Sequence, residues 1–154
     1  MSANPNLHSD LNSTDLEKAY SNLSATERDL LIKTAQEVRN RAYAHYSKFR
    51  VGAAVLTQSG RIFAGCNVEN SSYRLTTCAE QAAISNAVAQ EGKNMKIRAV
   101  AVTAGEDIPC SPCGACRQMI FEFGPDARVL FSTKEGEADW SIEDLLPEGF
   151  RLNE

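Results

Sequence analysis

The chemistry available to this chain is concentrated in its cysteines and one glutamate. Cys113-Gly114-Ala115-Cys116 has the two-residue gap that lets both sulfurs reach one metal ion, and Pro112 just before it suits a helix start. At positions i and i+3 of a first helical turn, the two thiols share a face. Cys78 opens another predicted helix, so three thiols stand at two helix N-termini, where the positive end of the dipole favours thiolate. Three protein ligands with a fourth position open is the catalytic pattern for zinc, whereas a structural site closes with four. Glu80, two residues after Cys78, can approach the open side of such a metal without being a ligand, where a proton shuttle for an activated water belongs.

Other arrangements compete with this one. A lone C-x-x-C also serves as a redox pair or as half of a structural zinc site. Cys110-Ser111-Pro112-Cys113 is a second C-x-x-C, so Cys78, Cys110, Cys113 and Cys116 could close a four-thiolate site. Against this, Cys110 precedes Pro112 on a loop, not on a helix face, and a closed site leaves Glu80 without a task. Cys110 and Cys66 are therefore expected to be free thiols and not ligands.

The elements that must position these residues follow from hydrophobic period and turn chemistry. Ser24-Ala25-Thr26-Glu27 fits a capping box, and Leu30, Leu31, Thr34, Ala35, Val38 and Ala42 recur at helical spacing, predicting a helix that ends near Tyr43. Val51 to Thr57 and Arg61 to Cys66 are β-prone runs joined by Gln58-Ser59-Gly60, which predicts two antiparallel strands. A helix over Cys78 to Glu91 stops at Gly92, and the apolar run Ile97 to Thr103 reads as a strand covered on both faces. Gly114 to Phe123 is a third helix, Arg128 to Ser132 a buried strand, and Ser141 to Leu146 a short helix before Pro147. Helices alternating with strands predict a mixed sheet between helical layers. Residues 1 to 22 show no sustained period and read as a mobile extension, leaving 23 to 154 as a single domain.

Composition narrows the function classes. With 154 residues, 43% hydrophobic and 23% charged, the chain suits one globular domain, and no apolar run approaches the ~18 residues of a membrane span. The N-terminus has neither a secretory nor a mitochondrial signature, so a cytoplasmic protein is expected. Formal net charge is -4 and no two Lys or Arg residues are adjacent, which argues against binding nucleic acid. An odd count of five cysteines argues against a disulfide framework.

Cys78-Ala79-Glu80 followed by Pro112-Cys113-Gly114-Ala115-Cys116 matches the signature already known for zinc deaminases, a C-x-E with a later P-C-x-x-C. The sequence also closely resembles the small, homotetrameric, zinc-dependent cytidine deaminases in Tyr46 to Ala54, Asn67 to Tyr73, Thr77 to Glu80, Ser111 to Gln118 and Leu145 to Phe150, in the family's order. The resemblance implies a three-layer α/β/α sandwich around a mixed sheet of about five strands. It also implies hydrolytic deamination of cytidine and 2'-deoxycytidine in pyrimidine salvage, with one zinc per chain on Cys78, Cys113 and Cys116 and with Glu80 catalytic.

For the substrate, the resemblance implies that Asn67 and Glu69 hydrogen-bond the ribose 3'-hydroxyl and that Phe49 packs on the nucleoside. The Ala79 N–H and the Ser111 carbonyl would read the pyrimidine edge. Phe150, and with it Tyr73, would reach a neighbouring subunit's site in a homotetramer; the plain alternative folds Phe150 onto its own core. Many similar enzymes with three thiolate ligands have Arg directly after the catalytic Glu, where this chain has Gln81, so a cation that hydrogen-bonds a ligand sulfur is missing while Arg117 remains. Arg74 stands where the family often has Gly. Blasticidin-S deaminases share the zinc segments and offer a second substrate; nucleic-acid editing is disfavoured by charge, and a structural-zinc module leaves Glu80, Asn67 and Glu69 unexplained.

Overall fold

The computed structural model describes residues 22–106 and 108–152, so nearly all of the expected mobile extension over residues 1 to 22 lies outside the described residues. Helix α1 (Ala25–Arg39) is followed by strands β1 (Gly52–Thr57) and β2 (Ile62–Cys66), a 3-10 turn over Tyr73–Leu75 and helix α2 (Ala79–Glu91). Strand β3 (Ile97–Thr103), helix α3 (Gly114–Phe123), strands β4 (Arg128–Thr133) and β5 (Gly136–Ser141) and the one-turn helix α4 (Ile142–Leu145) complete the chain. The capping box at Ser24 forms as expected, with the Glu27 N–H donating to Ser24 Oγ at 3.2 Å and the Ser24 N–H to Glu27 Oε2 at 3.0 Å.

The five strands form one sheet in the order β2-β1-β3-β4-β5, antiparallel except for the parallel β3–β4 pair. These directions put the C-terminal ends of β2, β3 and β4 on a single edge. The loops after β2 and β3 leave from that edge and lead into α2 and α3, so both helices begin there. One face of the sheet packs Phe63, Val100, Val102 and Val129 against Ala83, Ile84, Ala87 and Ile120 of α2 and α3. The other face packs Ala54, Leu56, Ala99, Ala101 and Leu130 against Leu31 and Ala35 of α1. Helices on both faces make the expected three layers, and β3 is buried on both sides.

Two differences from the sequence reading have physical causes. Helix α1 ends at Arg39 and not near Tyr43, because residues 40 to 42 tighten into i−3 bonds and Tyr43 leaves to pair with the segment after β2. The Tyr43 N–H donates to Asn67 O at 3.0 Å, and its carbonyl accepts from the Glu69 N–H at 2.8 Å. Strand β5 is not marked by any apolar run: its Gly-Glu-Ala-Asp-Trp-Ser sequence is that of an edge. Pairing in register with β4 makes it a strand, and Arg28 of α1, with Arg128, neutralises its Glu137 and Asp139.

Helix α2 lies close on β2 because Gly65 has no side chain. A Cβ at Gly65 would stand 2.3 Å from Ala83 N and 2.6 Å from Ala79 O, both backbone atoms of α2. Gly65→Ala must therefore push α2, and with it Cys78 and Glu80, away from the sheet. Such overpacking costs about 1–3 kcal/mol. The expected outcome is a lower urea midpoint together with weaker zinc retention; a midpoint and zinc content equal to wild type would show that the helix tolerates the shift.

Candidate active site

The three sulfurs singled out in the sequence converge: the Sγ atoms of Cys78, Cys113 and Cys116 all lie within 4.8 Å of one another. Cys78 is the N-cap of α2 and Cys113 the N-cap of α3, each in extended backbone, while Cys116 is buried in the first turn of α3. All three thiols thus stand at positive helix ends, as their sequence positions predict. Among the described residues, this metal-ligating group excludes Cys110 and Cys66.

The donor set fits zinc. Tetrahedral Zn–S bonds of about 2.3 Å place sulfurs roughly 3.8 Å apart, which falls within the 4.8 Å that bounds the three sulfurs here. Sulfur donors on two helices, with no fourth side chain converging among the described residues, leave one coordination position for a small molecule. The thiols already share charge: a hydrogen bond from Cys116 lowers the Cys78 pKa to about 7, against burial and the nearby Glu80 charge, with a further bond from Cys113 helping. Cys116, the donor to Cys78, is pushed up, by that bond first and then by burial. Cys110 is buried and raised to about 11, first by burial and then by the charges of Glu80 and Cys78, so it remains a neutral thiol beside the cluster.

Glu80 is only 4% exposed and faces the same place. Burial raises its carboxyl pKa, while its own backbone N–H and the Cys116 thiol hold it back by hydrogen bonding. A carboxylate so placed can keep or release a proton next to the metal position. Ala79, one residue earlier, is fully buried, and its N–H belongs to the first turn of α2, whose donors have no intrahelical partner. Ser111 is exposed on the loop before α3.

The polar residues expected around a ligand turn out to build the wall first. Asn67 is 9% exposed; its Oδ1 accepts from the Val51 N–H at 2.8 Å and its Nδ2 donates to Phe49 O at 2.9 Å. Glu69 accepts from the N–H groups of Tyr46, at 2.8 Å, and Ser47, at 3.2 Å, and from the Ser47 hydroxyl. These bonds hold its pKa below the ordinary carboxylate value, the Ser47 hydroxyl contributing most. Together they shape the segment that presents Phe49, which is 44% exposed. Ser47 was not foreseen. Its signal was a Ser ahead of a tight turn: Ser47 Oγ accepts from the Phe49 N–H at 3.0 Å, and Lys48 between them has φ 60°.

Gln81, Arg117 and Arg74, the residues considered around the ligand sulfurs, supply no side-chain hydrogen bond to a sulfur among the described residues. Gln81 Oε1 accepts from the Cys78 N–H at 3.2 Å, so it fixes the backbone of a ligand and supplies no charge. Arg117 directs its guanidinium to two carbonyls, Pro112 O at 2.8 Å and Leu145 O at 2.9 Å, and not to a ligand sulfur. Arg74 is exposed on the 3-10 turn and is not among the groups acting on the Cys78, Cys110 or Cys116 thiols. Tyr73 is 79% and Phe150 69% exposed, so Phe150 does not fold back into the core of its own chain. Gln118, within Ser111 to Gln118 but not singled out from sequence, donates from Nε2 to Phe150 O at 3.0 Å.

Over most of its length the chain is similar to known proteins. Residues 25–133 match the family described as the cytidine and deoxycytidylate deaminase zinc-binding region. A cytidine deaminase of Sporosarcina psychrophila is 43% identical over 122 residues, which are 78% of this chain and 88% of that protein. A blasticidin-S deaminase of Bacillus cereus is 33% identical over 135 residues, 83% of this chain and 96% of that one. The crystal structure of a cytidine deaminase from Burkholderia pseudomallei superposes with a TM-score of 0.74 at 41% identity, covering 83% of this chain and all of that one. With three converging sulfurs, a buried glutamate between two helix starts, and these matches over most of its length, the chain belongs to the zinc-binding cytidine and deoxycytidylate deaminase family.

Proposed function

We propose that this protein hydrolytically deaminates cytidine and 2'-deoxycytidine to uridine and 2'-deoxyuridine, releasing ammonia, in pyrimidine salvage. The observation that carries the reading is the convergence of Cys78, Cys113 and Cys116 beside the buried carboxylate of Glu80. Zinc, when bound there, supplies a Lewis acid that brings the pKa of a water toward neutrality. Glu80 accepts one proton from the attacking water and delivers it to ring N3 as C4 is attacked. It then relays the second proton to the departing amino group, so one carboxylate serves as base and then as acid.

The remaining site residues take up the nucleoside. Phe49 offers its exposed ring to the substrate. The Ala79 N–H and the Ser111 carbonyl give one donor and one acceptor to the pyrimidine edge, the combination that tells cytosine from other rings. Asn67 keeps one amide proton beyond its bond to Phe49, and Glu69 keeps lone-pair capacity beyond its three bonds, so both can still hold the ribose 3'-hydroxyl. The exposed Tyr73 and Phe150 suit a homotetramer in which each site is finished by a neighbour. We take residues 23 to 154 as one catalytic domain and the cytoplasm as its place; among the described residues no helix is long and apolar enough to cross a membrane.

Ultraviolet absorbance on incubation with cytidine, deoxycytidine, cytosine, CMP and blasticidin S in parallel tests the substrate class. Loss with the two nucleosides is expected, and loss with blasticidin S alone would transfer the reading to that antibiotic. Glu80→Gln should keep zinc and fold while losing at least the ~10²–10⁴-fold that removal of a general acid/base commonly costs. Near-normal turnover in the zinc-loaded variant would overturn the proton relay.

Metal analysis separates the ligands: Cys113→Ala should lose zinc and Cys110→Ala should retain one per chain, whereas zinc loss from Cys110→Ala would point to a four-thiolate site. Subunit sharing is tested by co-refolding Phe150→Ala chains with Glu80→Gln chains. Mixed oligomers should exceed the summed activity of the separate variants, because some sites regain both groups; strict additivity would refute sharing.

A further inference from the structure

Arg117 lies one turn into α3, next to Cys116, where a cation opposes the positive end of the helix dipole. Its side chain is nevertheless fixed at two points. Nε donates to the carbonyl of Pro112, the residue that leads into Cys113, and Nη1 donates to the carbonyl of Leu145, the last residue of α4. A closing carbonyl of a helix has no intrahelical partner, and the Pro112 carbonyl precedes α3, so the guanidinium gives both carbonyls a donor outside any helix or sheet ladder. The next residue, Gln118, holds the Phe150 carbonyl. A single turn of α3 therefore turns Cys116 toward the other sulfurs and, with Arg117 and Gln118, grips the C-terminal arm at Leu145 and at Phe150.

We propose that Arg117 is a positioning residue that couples the metal-binding loop to the C-terminal arm, so that filling the three-sulfur site and seating Phe150 depend on one another. The proposal rests on the roles assigned above to the three cysteines and to Phe150. A rigid fork is what this task requires: a lysine keeps the charge, but its single nitrogen cannot serve two carbonyls along directions set by a guanidinium plane. Any movement of the Pro112–Cys113 peptide is passed through that plane to Leu145, and loosening of the arm releases the loop in the same way.

The test uses full-length, zinc-loaded protein and the variants Arg117→Lys and Arg117→Met. Two rates are read: zinc release to excess chelator, and hydrogen exchange at the Leu146 and Gly149 amides, which are hydrogen-bonded within the arm. Both rates should rise about tenfold or more in both variants, as expected when charge-assisted hydrogen bonds are lost, with amides of β3 unchanged. Arg117→Lys at wild-type values would overturn the proposal in favour of a role for charge alone. A change in only one of the two rates would overturn the coupling.

Should neither variant fold, stripping zinc from the wild type must itself speed exchange at Leu146 and Gly149; unaltered exchange there overturns the proposal. These readouts contain no nucleoside. A protein inert toward cytidine would sink the proposed function and leave the coupling standing, whereas an active enzyme indifferent to Arg117→Lys would sink only the coupling.

Discussion

Three sulfurs on two helices have to meet within reach of one small ion, and that distance is the constraint on which the rest of the structure depends. A metal–thiolate bond tolerates only tenths of an ångström, so α2 and α3 must start at the same sheet edge and lie at a fixed height above it. Parallel directions of β2, β3 and β4 provide the edge. The absent side chain at Gly65 provides the height, because β2 then touches the backbone of α2 next to Cys78 and Glu80. Gly52 does the same for α1 on the opposite face, where a Cβ would stand 2.0 Å from Ala35 O.

The loops at this edge have only isolated backbone pairings, so side chains and backbone groups distant in sequence complete their hydrogen bonding. Asn67 and Glu69 brace residues 46 to 51, Arg39 holds the Ala104 carbonyl at 2.6 Å, and the Cys110 N–H reaches Ser132 O at 2.9 Å. These bonds explain how a segment as irregular as the one leading from β3 to α3 can deliver Cys113 to a defined place. They also show polar residues serving twice, once in fixing backbone and once, through unused donors and lone pairs, in what is offered to a ligand.

Charge is distributed according to the same division of labour. The ion pairs of Arg28 with Glu137 and Asp139, and of Arg98 with Glu27, join the first helix to the sheet. Being partly exposed, they do more to specify which strand lies beside which helix than to stabilise the fold. At the cluster, Arg117 turns to carbonyls and not to a ligand sulfur; the thiols are moderated by one another and by two helix N-termini.

Much of this was legible in the chain itself. Cys113 and Cys116 carry a shared face in their i, i+3 spacing at one helix start, and Cys78 and Glu80 carry their chemistry in residue type and place at another, whereas the meeting of the two starts is tertiary. The capping box at Ser24, the two-sided burial of Ile97 to Thr103 and the stop at Gly92 were readable for the same local reason. What tertiary structure alone decided involves partners distant in sequence. Tyr43 leaves its helix for Asn67 and Glu69, and Gly-Glu-Ala-Asp-Trp-Ser becomes a strand because β4 lies open beside it. Gln81 turns to a backbone N–H, and Arg117 serves Pro112 and Leu145 in place of sulfur. A side chain's type states which bonds it can make, but which of them it makes depends on the orphaned backbone groups that folding brings within its reach.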